Sequence, residues 1–330
     1  MDLQILVPQY GETDEVVKPL LDSIAIQQGI QFDRIGVVIC NDGSSVILSD
    51  KLLQQYPFRI DYYREPHRGV SGTRNACLDH ATADYVMFCD ADDMFFNALG
   101  LMMVFTEIRN RFDCLVSLFI EEARMPDGRT EFINHENDKT FVHGKVFRRK
   151  YLTDNNIRFC DRLTIHEDSY FNILAQRCSG NTRYCQTAFY MWKWRDESVC
   201  RRDPKYPVRT MINLIDSGDA LIREIYHRGM RDTAIELVGS AMFDYYYTLC
   251  RPVWHDPHNR KFREATEKRI AAFYRKYHAL WDAVPDDARM AVSAEARQVS
   301  IRNGMQMEPV TFSEWLDHIE SLIQEGKKND

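Results

Sequence analysis

Three carboxylates, Asp90, Asp92 and Asp93, follow directly on a short apolar segment, residues 85–89. The apolar segment predicts a buried strand, and in an open α/β sheet ligands bind just beyond the carboxyl ends of the strands. Side chains two positions apart in an extended segment share a face, so Asp90 and Asp92 can converge on one oxygen-seeking divalent cation. A cation at such a place commonly carries a phosphate-bearing substrate. The residues alone leave an alternative open, a strand that ends in a solvated acidic turn.

The elements that must position these carboxylates alternate between strand and helix over the first 120 residues. Five apolar runs predict strands, at residues 3–7, 35–40, 58–63, 85–89 and 113–120. Two stretches with apolar side chains at helical spacing, residues 14–28 and 71–80, predict helices. Strands that alternate with helices indicate an α/β fold with a mostly parallel sheet and helices on both of its faces.

The pattern changes after residue 120 and becomes helical from about residue 206 onward. We therefore expect two domains, an α/β domain over residues 1–202 and a helical C-terminal domain over residues 203–330. The aromatic residues of the second domain favour packing or self-association over glycan binding, which makes a homo-oligomer formed through this domain one expectation.

Composition argues against several classes of protein. The net charge of −7 provides no basic surface for a nucleic-acid partner. No apolar run approaches the roughly 20 residues that a transmembrane segment needs, and residues 1–8 lack the basic start of a signal peptide. The nine cysteines include no CxxC pair, which favours reduced thiols over a disulfide framework. We expect a cytoplasmic protein, either free or peripheral at the inner membrane surface.

Seven segments resemble, in order, motifs of the family 2 glycosyltransferases, the nucleotide-sugar enzymes with the GT-A fold. These segments are ILVPQY at 5–10, VVICNDGSS at 37–45, RGVSGTRNA at 68–76, FCDADD at 88–93, GKVFRR at 144–149, EDSYF at 167–171 and WKWR at 192–195. The resemblance covers roughly residues 3–202. Two positions depart from the pattern, since His67 replaces an asparagine and Asn41 replaces the first aspartate of an Asp-Asp-Gly motif.

The resemblance implies that residues 1–202 form a GT-A catalytic domain. It implies an inverting transferase for hexosyl or N-acetylhexosaminyl groups, with a nucleotide-diphosphate donor, UDP-sugar favoured, and an acceptor hydroxyl on a glycan or cell-envelope polymer. A nucleotidyltransferase is a weaker alternative, because the first strand is not followed by a glycine-rich phosphate loop. A non-catalytic nucleotide- or glycan-binding homologue is another alternative, which the acidic residues of the motifs disfavour.

The same resemblance implies a nucleotide site at the first two strand ends. Pro8 would fix the turn, Tyr10 would stack on the base, and Asp42 would accept a hydrogen bond from a ring N–H. His67 is expected in this set through its place in the motif. Without the resemblance, a surface aromatic residue and an Asx turn would be the favoured explanation of Tyr10 and Asp42.

A Mn²⁺ or Mg²⁺ cofactor is expected at the Asp-x-Asp segment. Asp92 is the predicted direct ligand, and Asp90 would contact the ribose or a metal-bound water. His143 is a further candidate ligand, with an ordinary buried polar residue as the alternative. Arg74 would contact the nucleotide or hold Asp90 in place, with a simple ion pair as the alternative, and Asp93 would support the metal or cap the helix expected near Asn97.

Asp168 is the predicted catalytic base, with Glu167 as a neighbour that orients it or contacts the acceptor. The alternative role for Asp168 is that of a helix N-cap, which aspartate favours. A donor and acceptor lid is predicted from the basic and aromatic residues Trp192, Trp194 and Arg195, followed by Arg201 and Arg202. The alternative for this segment is an edge strand whose charged side chains face water.

Overall fold

The computed structural model describes residues 1–125, 127–196, 198, 205–289 and 310–329, with side chains described as far as residue 324. The chain divides into two compact units, Met1–Ser198 and Val199–Asp330. The strands of the first unit are β1 (Leu3–Gln9), β2 (Ile35–Asp42), β3 (Arg59–Glu65), β4 (Tyr85–Phe88), β5 (Met94–Phe95), β6 (Cys114–Arg124), β7 (Thr130–His135), β8 (Lys145–Arg148) and β9 (Thr182–Trp192). Its α-helices are α1 (Asp14–Ala25), α2 (Asp50–Gln54), α3 (Gly69–His80), α4 (Gly100–Ile108), α5 (Arg149–Asp154) and α6 (Glu167–Cys178).

The strands form one sheet in the order β3-β2-β1-β4-β8-β6-β9-β5, with β7 paired to β6. Strands β3, β2, β1 and β4 run parallel. Strand β8 is antiparallel to both β4 and β6, and β9 is parallel to β6. The expected α/β class is confirmed, and the sheet is mixed because β8, β5 and β7 run antiparallel to their neighbours.

Helices cover both faces of the sheet. Since successive side chains of a strand point to opposite faces, each strand can pack against both helix layers. Met87 belongs to an apolar cluster that includes side chains of α1 and α4. Its neighbour Phe88 lies on the other face, edge-on to Phe159 and Phe171 at 5.1 and 5.6 Å between ring centroids. Phe171 is in α6, and removing a buried phenylalanine side chain typically costs about 3–5 kcal/mol. These rings therefore hold the first turn of α6 against the end of β4.

The second unit is helical. Its α-helices are α7 (Tyr206–Arg209), α8 (Met211–His227), α9 (Arg231–Leu249), α10 (Arg260–Trp281) and α11 (Phe312–Asn329). Several of its aromatic residues pack inward, since Trp254 and Trp281 are buried and Tyr245 meets Phe273 edge-on at 5.4 Å. Among the helices that the structure describes, none is long and apolar enough to cross a bilayer.

Candidate active site

The polar residues singled out in the sequence meet at one edge of the sheet. The carboxyl ends of β1, β2 and β4 share this edge because these strands are parallel. Strand β8 runs the other way, so the loop that precedes it arrives at the same edge. The first turns of α3 and α6 complete the surroundings, since Arg74 of α3 contacts both Glu167 and Asp168 of α6.

Arg74 is the centre of a buried ion-pair cluster. Its side chain is only 4% exposed, and its Nη2 donates to Asp90 Oδ1 at 2.9 Å. Its Nη1 donates to Glu167 Oε1 at 2.8 Å and also to a carboxylate oxygen of Asp168. A buried charge is tolerated when it is paired and hydrogen-bonded. One guanidinium thus connects the carboxylate at the end of β4 to the carboxylate predicted as the base.

The two aspartates on this guanidinium differ in their affinity for protons. Burial raises the pKa of Asp168 to about 7, against the opposing charge of Arg74 and with the help of Glu167. Burial also raises the pKa of Asp90, but Arg74 and then His143 outweigh it, so that this pKa lies below its ordinary value. A carboxylate that titrates near neutral pH is suited to general-base chemistry.

Asp168 is not the N-cap of α6, the alternative that its sequence position left open. The N-cap is His166, whose φ is +62°, and Asp168 is the second residue of the helix. Besides contacting Arg74, its Oδ2 accepts a hydrogen bond from the backbone N–H of Val142 at 3.3 Å. The carboxylate is therefore turned toward the sheet edge and the loop before β8.

Asp90, Asp93 and His143 form a group that could hold a metal ion, because one ligand atom of each lies within 4.8 Å of the others. His143 is 3% exposed, and its Nδ1 has no hydrogen-bond partner although it lies 3.6 Å from Asp93 Oδ2. Burial lowers the pKa of His143 to about 4, so the imidazole is neutral, as metal binding requires. Two carboxylates and an imidazole fit Mn²⁺ better than Mg²⁺, which prefers oxygen ligands.

Asp92, the predicted direct ligand, is in a different position. Its side chain is partly exposed, and it accepts a hydrogen bond from Arg195 at 2.8 Å. Asp93 is the buried carboxylate, and it accepts from the Tyr190 hydroxyl and from the backbone N–H of Lys193. It does not cap a helix, because α4 begins only at Gly100. Burial raises the pKa of Asp93 well above its usual range, and the charges of Asp90 and Asp92 add to this effect.

The residues expected around a nucleobase also lie together. Tyr10 is 60% exposed beyond the end of β1, and its ring centroid is 5.1 Å from that of His67. Pro8 lies within β1, in register with Cys40 of β2, so the prediction that it fixes the turn is wrong. His67 Nδ1 lies 2.9 Å from Asp42 Oδ2. Asp42 also accepts the backbone N–H groups of Arg68 and Gly69 at 2.6 and 3.0 Å, which anchors the start of α3. The Asp42 carboxylate therefore also stabilises the start of α3, a role that the sequence analysis did not predict.

The predicted lid residues lie at the end of β9 and in the segment directly after it. Trp192 is the last residue of this strand and stacks on His143, with 5.6 Å between centroids and 15° between ring planes. The backbone N–H of Trp194 donates to Glu122 at 3.0 Å, and Arg195 pairs with Asp92. Arg201 and Arg202 lie outside the described residues.

Tyr190 is a site residue that the sequence analysis missed. Its hydroxyl donates to Asp93 and accepts the backbone N–H of Asp90 at 3.2 Å, so it ties together the turn that carries the three carboxylates. Its position in an aromatic strand was the only signal in the sequence, and such a strand is ordinarily explained by core packing.

A mixed α/β sheet with acidic residues, an arginine and a histidine at this edge is typical of GT-A glycosyltransferases. The sequence matches the description "Glycosyl transferase family 2" over residues 4–165, and the chain belongs to this family.

Two bacterial proteins are similar in sequence to part of this chain. It is 32% identical over 181 residues to the minor teichoic acid biosynthesis protein GgaB of Bacillus subtilis, a match over 52% of this chain and 19% of GgaB. It is 25% identical over 191 residues to poly(ribitol-phosphate) beta-N-acetylglucosaminyltransferase TarS of Staphylococcus aureus, covering 53% of this chain and 32% of TarS. The matched segments thus span 19% of GgaB and 32% of TarS, well under half of either relative's length.

The fold is that of the TarS fragment 1–349, whose crystal structure superposes with a TM-score of 0.64 at 16% identity, over 100% of this chain and 92% of the fragment. A structure of the same fragment in complex with UDP-GlcNAc superposes with a TM-score of 0.52 at 18% identity, over 93% of both chains. This likeness confirms the predicted GT-A fold.

Proposed function

We propose that this protein is a metal-dependent, inverting glycosyltransferase that moves a hexosyl or N-acetylhexosaminyl group from a UDP-sugar to a hydroxyl of a glycan or cell-envelope polymer. The observation that carries the proposal is the Arg74 cluster, which places an ionised Asp90 and a proton-accepting Asp168 on one guanidinium. The UDP-GlcNAc complex of TarS supports the choice of donor, and the teichoic acid relatives support the choice of acceptor.

The base pocket would be formed by Tyr10, Asp42 and His67. The exposed Tyr10 ring offers a face for stacking, and His67 beside it is held by Asp42. A base that stacks on an aromatic side chain typically gains about 1–3 kcal/mol. The diphosphate would then extend toward Asp90 at the end of β4.

Asp90, Asp93 and His143 would hold the Mn²⁺ or Mg²⁺ ion. When bound, the ion would neutralise the charge that develops on the departing diphosphate. Asp92 could join this set once Arg195 leaves it, and a released Arg195 would then be free to contact the phosphates. Asp93 would have to bind the ion as a carboxylate, against its raised pKa, and to give up its Tyr190 contact.

Asp168 would remove the proton from the acceptor hydroxyl. The attacking oxygen then forms its bond to the anomeric carbon as the bond to the diphosphate breaks, and attack from the opposite face inverts the anomeric centre. Glu167, held by the same Nη1 atom, would keep Arg74 oriented toward Asp168. Trp192 and Trp194 would border the sugar site, where aromatic faces suit pyranose rings.

The donor site can be tested by thermal unfolding with UDP, GDP, CDP and dTDP, each with Mn²⁺ and each with a chelator. A ligand at about a hundred times its dissociation constant adds roughly 2.7 kcal/mol to stability. We expect stabilisation by UDP that depends on Mn²⁺. Stabilisation by a different diphosphate would change the donor, and no shift with any of the four would contradict the nucleotide-sugar function.

The base can be tested with Asp168→Asn, an isosteric change that removes proton affinity. We expect transfer from UDP-sugar to fall by at least about a thousandfold, as for essential groups in other transferases and hydrolases, while UDP still binds. Turnover at the wild-type rate would remove Asp168 from this role. Asp92→Asn and Asp93→Asn, compared for Mn²⁺ affinity, show which of the two carboxylates holds the ion.

A further inference from the structure

Lys145, the first residue of β8, is a fully buried lysine beside the site. Its Nζ donates to the carbonyl oxygen of Phe141 and lies 3.5 Å from Asp138 Oδ1. Because burying an ammonium group is expensive unless it is paired, these partners must hold it in one place. The roles proposed above do not use this residue.

The partners of Lys145 organise the loop that precedes β8, residues 138–143. Asp138 Oδ1 accepts the backbone N–H groups of Thr140 and Phe141, both at 2.8 Å. Asn172 of α6 donates to the carbonyl oxygen of Thr140 at 2.7 Å. The ammonium group therefore contacts both the carboxylate that shapes the loop and a carbonyl within it.

This loop supplies two parts of the site at once. The backbone N–H of Val142 donates to Asp168 at 3.3 Å. The next residue, His143, directs its unbonded Nδ1 toward Asp93. A shift of the loop would thus disturb the base and the candidate metal group together.

We propose that Lys145 is a positioning residue for the transfer reaction, whose buried ammonium group holds the 138–143 loop against Asp168 and the Asp90–Asp93–His143 group. This proposal rests on the function proposed above. Lys145 acts through the loop and not on the donor, because its side chain has no exposed surface for a phosphate to reach. The nucleobase residues Tyr10 and Asp42 belong to other loops, so a shift of the 138–143 loop should affect donor binding only through the metal group, and less than it affects the transfer step.

The test compares Lys145→Met and Asp138→Asn with wild type. Lys139→Met is the matched control, since Lys139 lies in the same loop but is exposed and its replacement makes the same change in charge. Hydrogen exchange of the amides at 140–142 reports on the loop without requiring turnover. Transfer kinetics with UDP-sugar, and UDP binding measured by calorimetry, show how a change in the loop affects catalysis and donor binding.

We expect Lys145→Met and Asp138→Asn to speed exchange at residues 140–142 and to lower kcat by about 10- to 100-fold, the range that a small misplacement of reacting groups produces. At saturating Mn²⁺, donor KM and UDP affinity should change less than kcat does, because the nucleobase contacts remain while the base loses its position. Lys139→Met should match wild type. In the double variant, the loss in kcat should not exceed the larger single loss, since both changes break one interaction.

Wild-type exchange and wild-type kcat in both variants would overturn the proposal and leave the glycosyltransferase function standing. A loss of UDP affinity as large as the loss of kcat would overturn it too, because that result indicates general damage. If Lys145→Met does not fold, the result for Asp138→Asn, which preserves the side-chain volume, decides whether the proposal holds. A wild-type protein that neither binds a diphosphate nor transfers sugar would sink the proposed function, while the exchange comparison would still decide whether Lys145 holds the loop.

Discussion

Replacing Arg74 with methionine removes the cation that faces Asp90, Glu167 and Asp168 while keeping an aliphatic side chain of similar reach. The guanidinium is 4% exposed, and two of its contacts measure 2.8 and 2.9 Å. Breaking a buried ion pair by deleting one partner typically costs about 3–5 kcal/mol. We expect the free energy of unfolding to fall by about this amount at pH 8, where the remaining carboxylates are ionised.

The pH dependence of this loss tests its electrostatic origin. A carboxyl with a raised pKa in the folded state stabilises at acid pH, and this stability is lost as the pH rises through that pKa. In wild type this applies to Asp168, whose pKa burial raises to about 7. In Arg74→Met it should apply to Asp90 as well, because burial would then act on its pKa without the opposing guanidinium. The loss should therefore be smaller at pH 5 than at pH 8.

The measurement is urea unfolding followed by far-ultraviolet circular dichroism at pH 5 and pH 8. Arg158→Met is the control. Arg158 pairs with Asp79, which lies in the same helix as Arg74, and the side chains of Arg158 and Asp79 are 39% and 60% exposed. Exposed pairs of this kind contribute about 0–1 kcal/mol. A loss below about 1 kcal/mol for Arg74→Met at pH 8, or equal losses at the two pH values, would refute the reasoning.

Three further predictions concern the site. The kcat for transfer should rise with pH through about 7, because Asp168 must lose its proton and burial raises its pKa to about 7; a flat profile between pH 6 and 8 would speak against it as the base. Tyr10→Ala should weaken UDP binding by about 1–3 kcal/mol through lost stacking, measured by calorimetry, whereas Tyr184→Ala, at a similarly exposed tyrosine, should not. Asp42→Ala should lower the urea-unfolding free energy by about 1 kcal/mol, since two backbone N–H groups at the start of α3 lose their acceptor; unchanged stability would show that this anchoring is negligible.

The sequence predicted the location of the site because most of its residues occupy places that local patterns mark. Asp90 follows an apolar strand, Arg74 lies near the start of a helix, and Asp168 lies at the start of another. Parallel strands bring such places to one edge of a sheet, so their convergence follows from the α/β pattern alone.

The sequence could not predict contacts that depend on the pairing of the strands that follow β4 in the chain. Tyr190 reaches Asp93 only because β9 pairs with β5 and β6, and no local periodicity fixes that register. For the same reason Asp92 and Asp93 could not be told apart, although the first proves partly exposed and the second buried. Lys145 is a related case, because a lysine at a strand end ordinarily faces water.

The reversal of direction between β4 and β8 has a consequence for how such enzymes can diverge. Because β8 runs antiparallel to β4, the site is built from chain that follows β4 and from chain that precedes β8. Residues 136–143 therefore enter the site without lying between two strands of the parallel core. Insertions or substitutions there can alter the surroundings of Asp168 and of the Asp90–Asp93–His143 group while the loops after β1 and β2 keep their lengths. The loop before β8 and the loops after β1 and β2 can in this way change independently of one another.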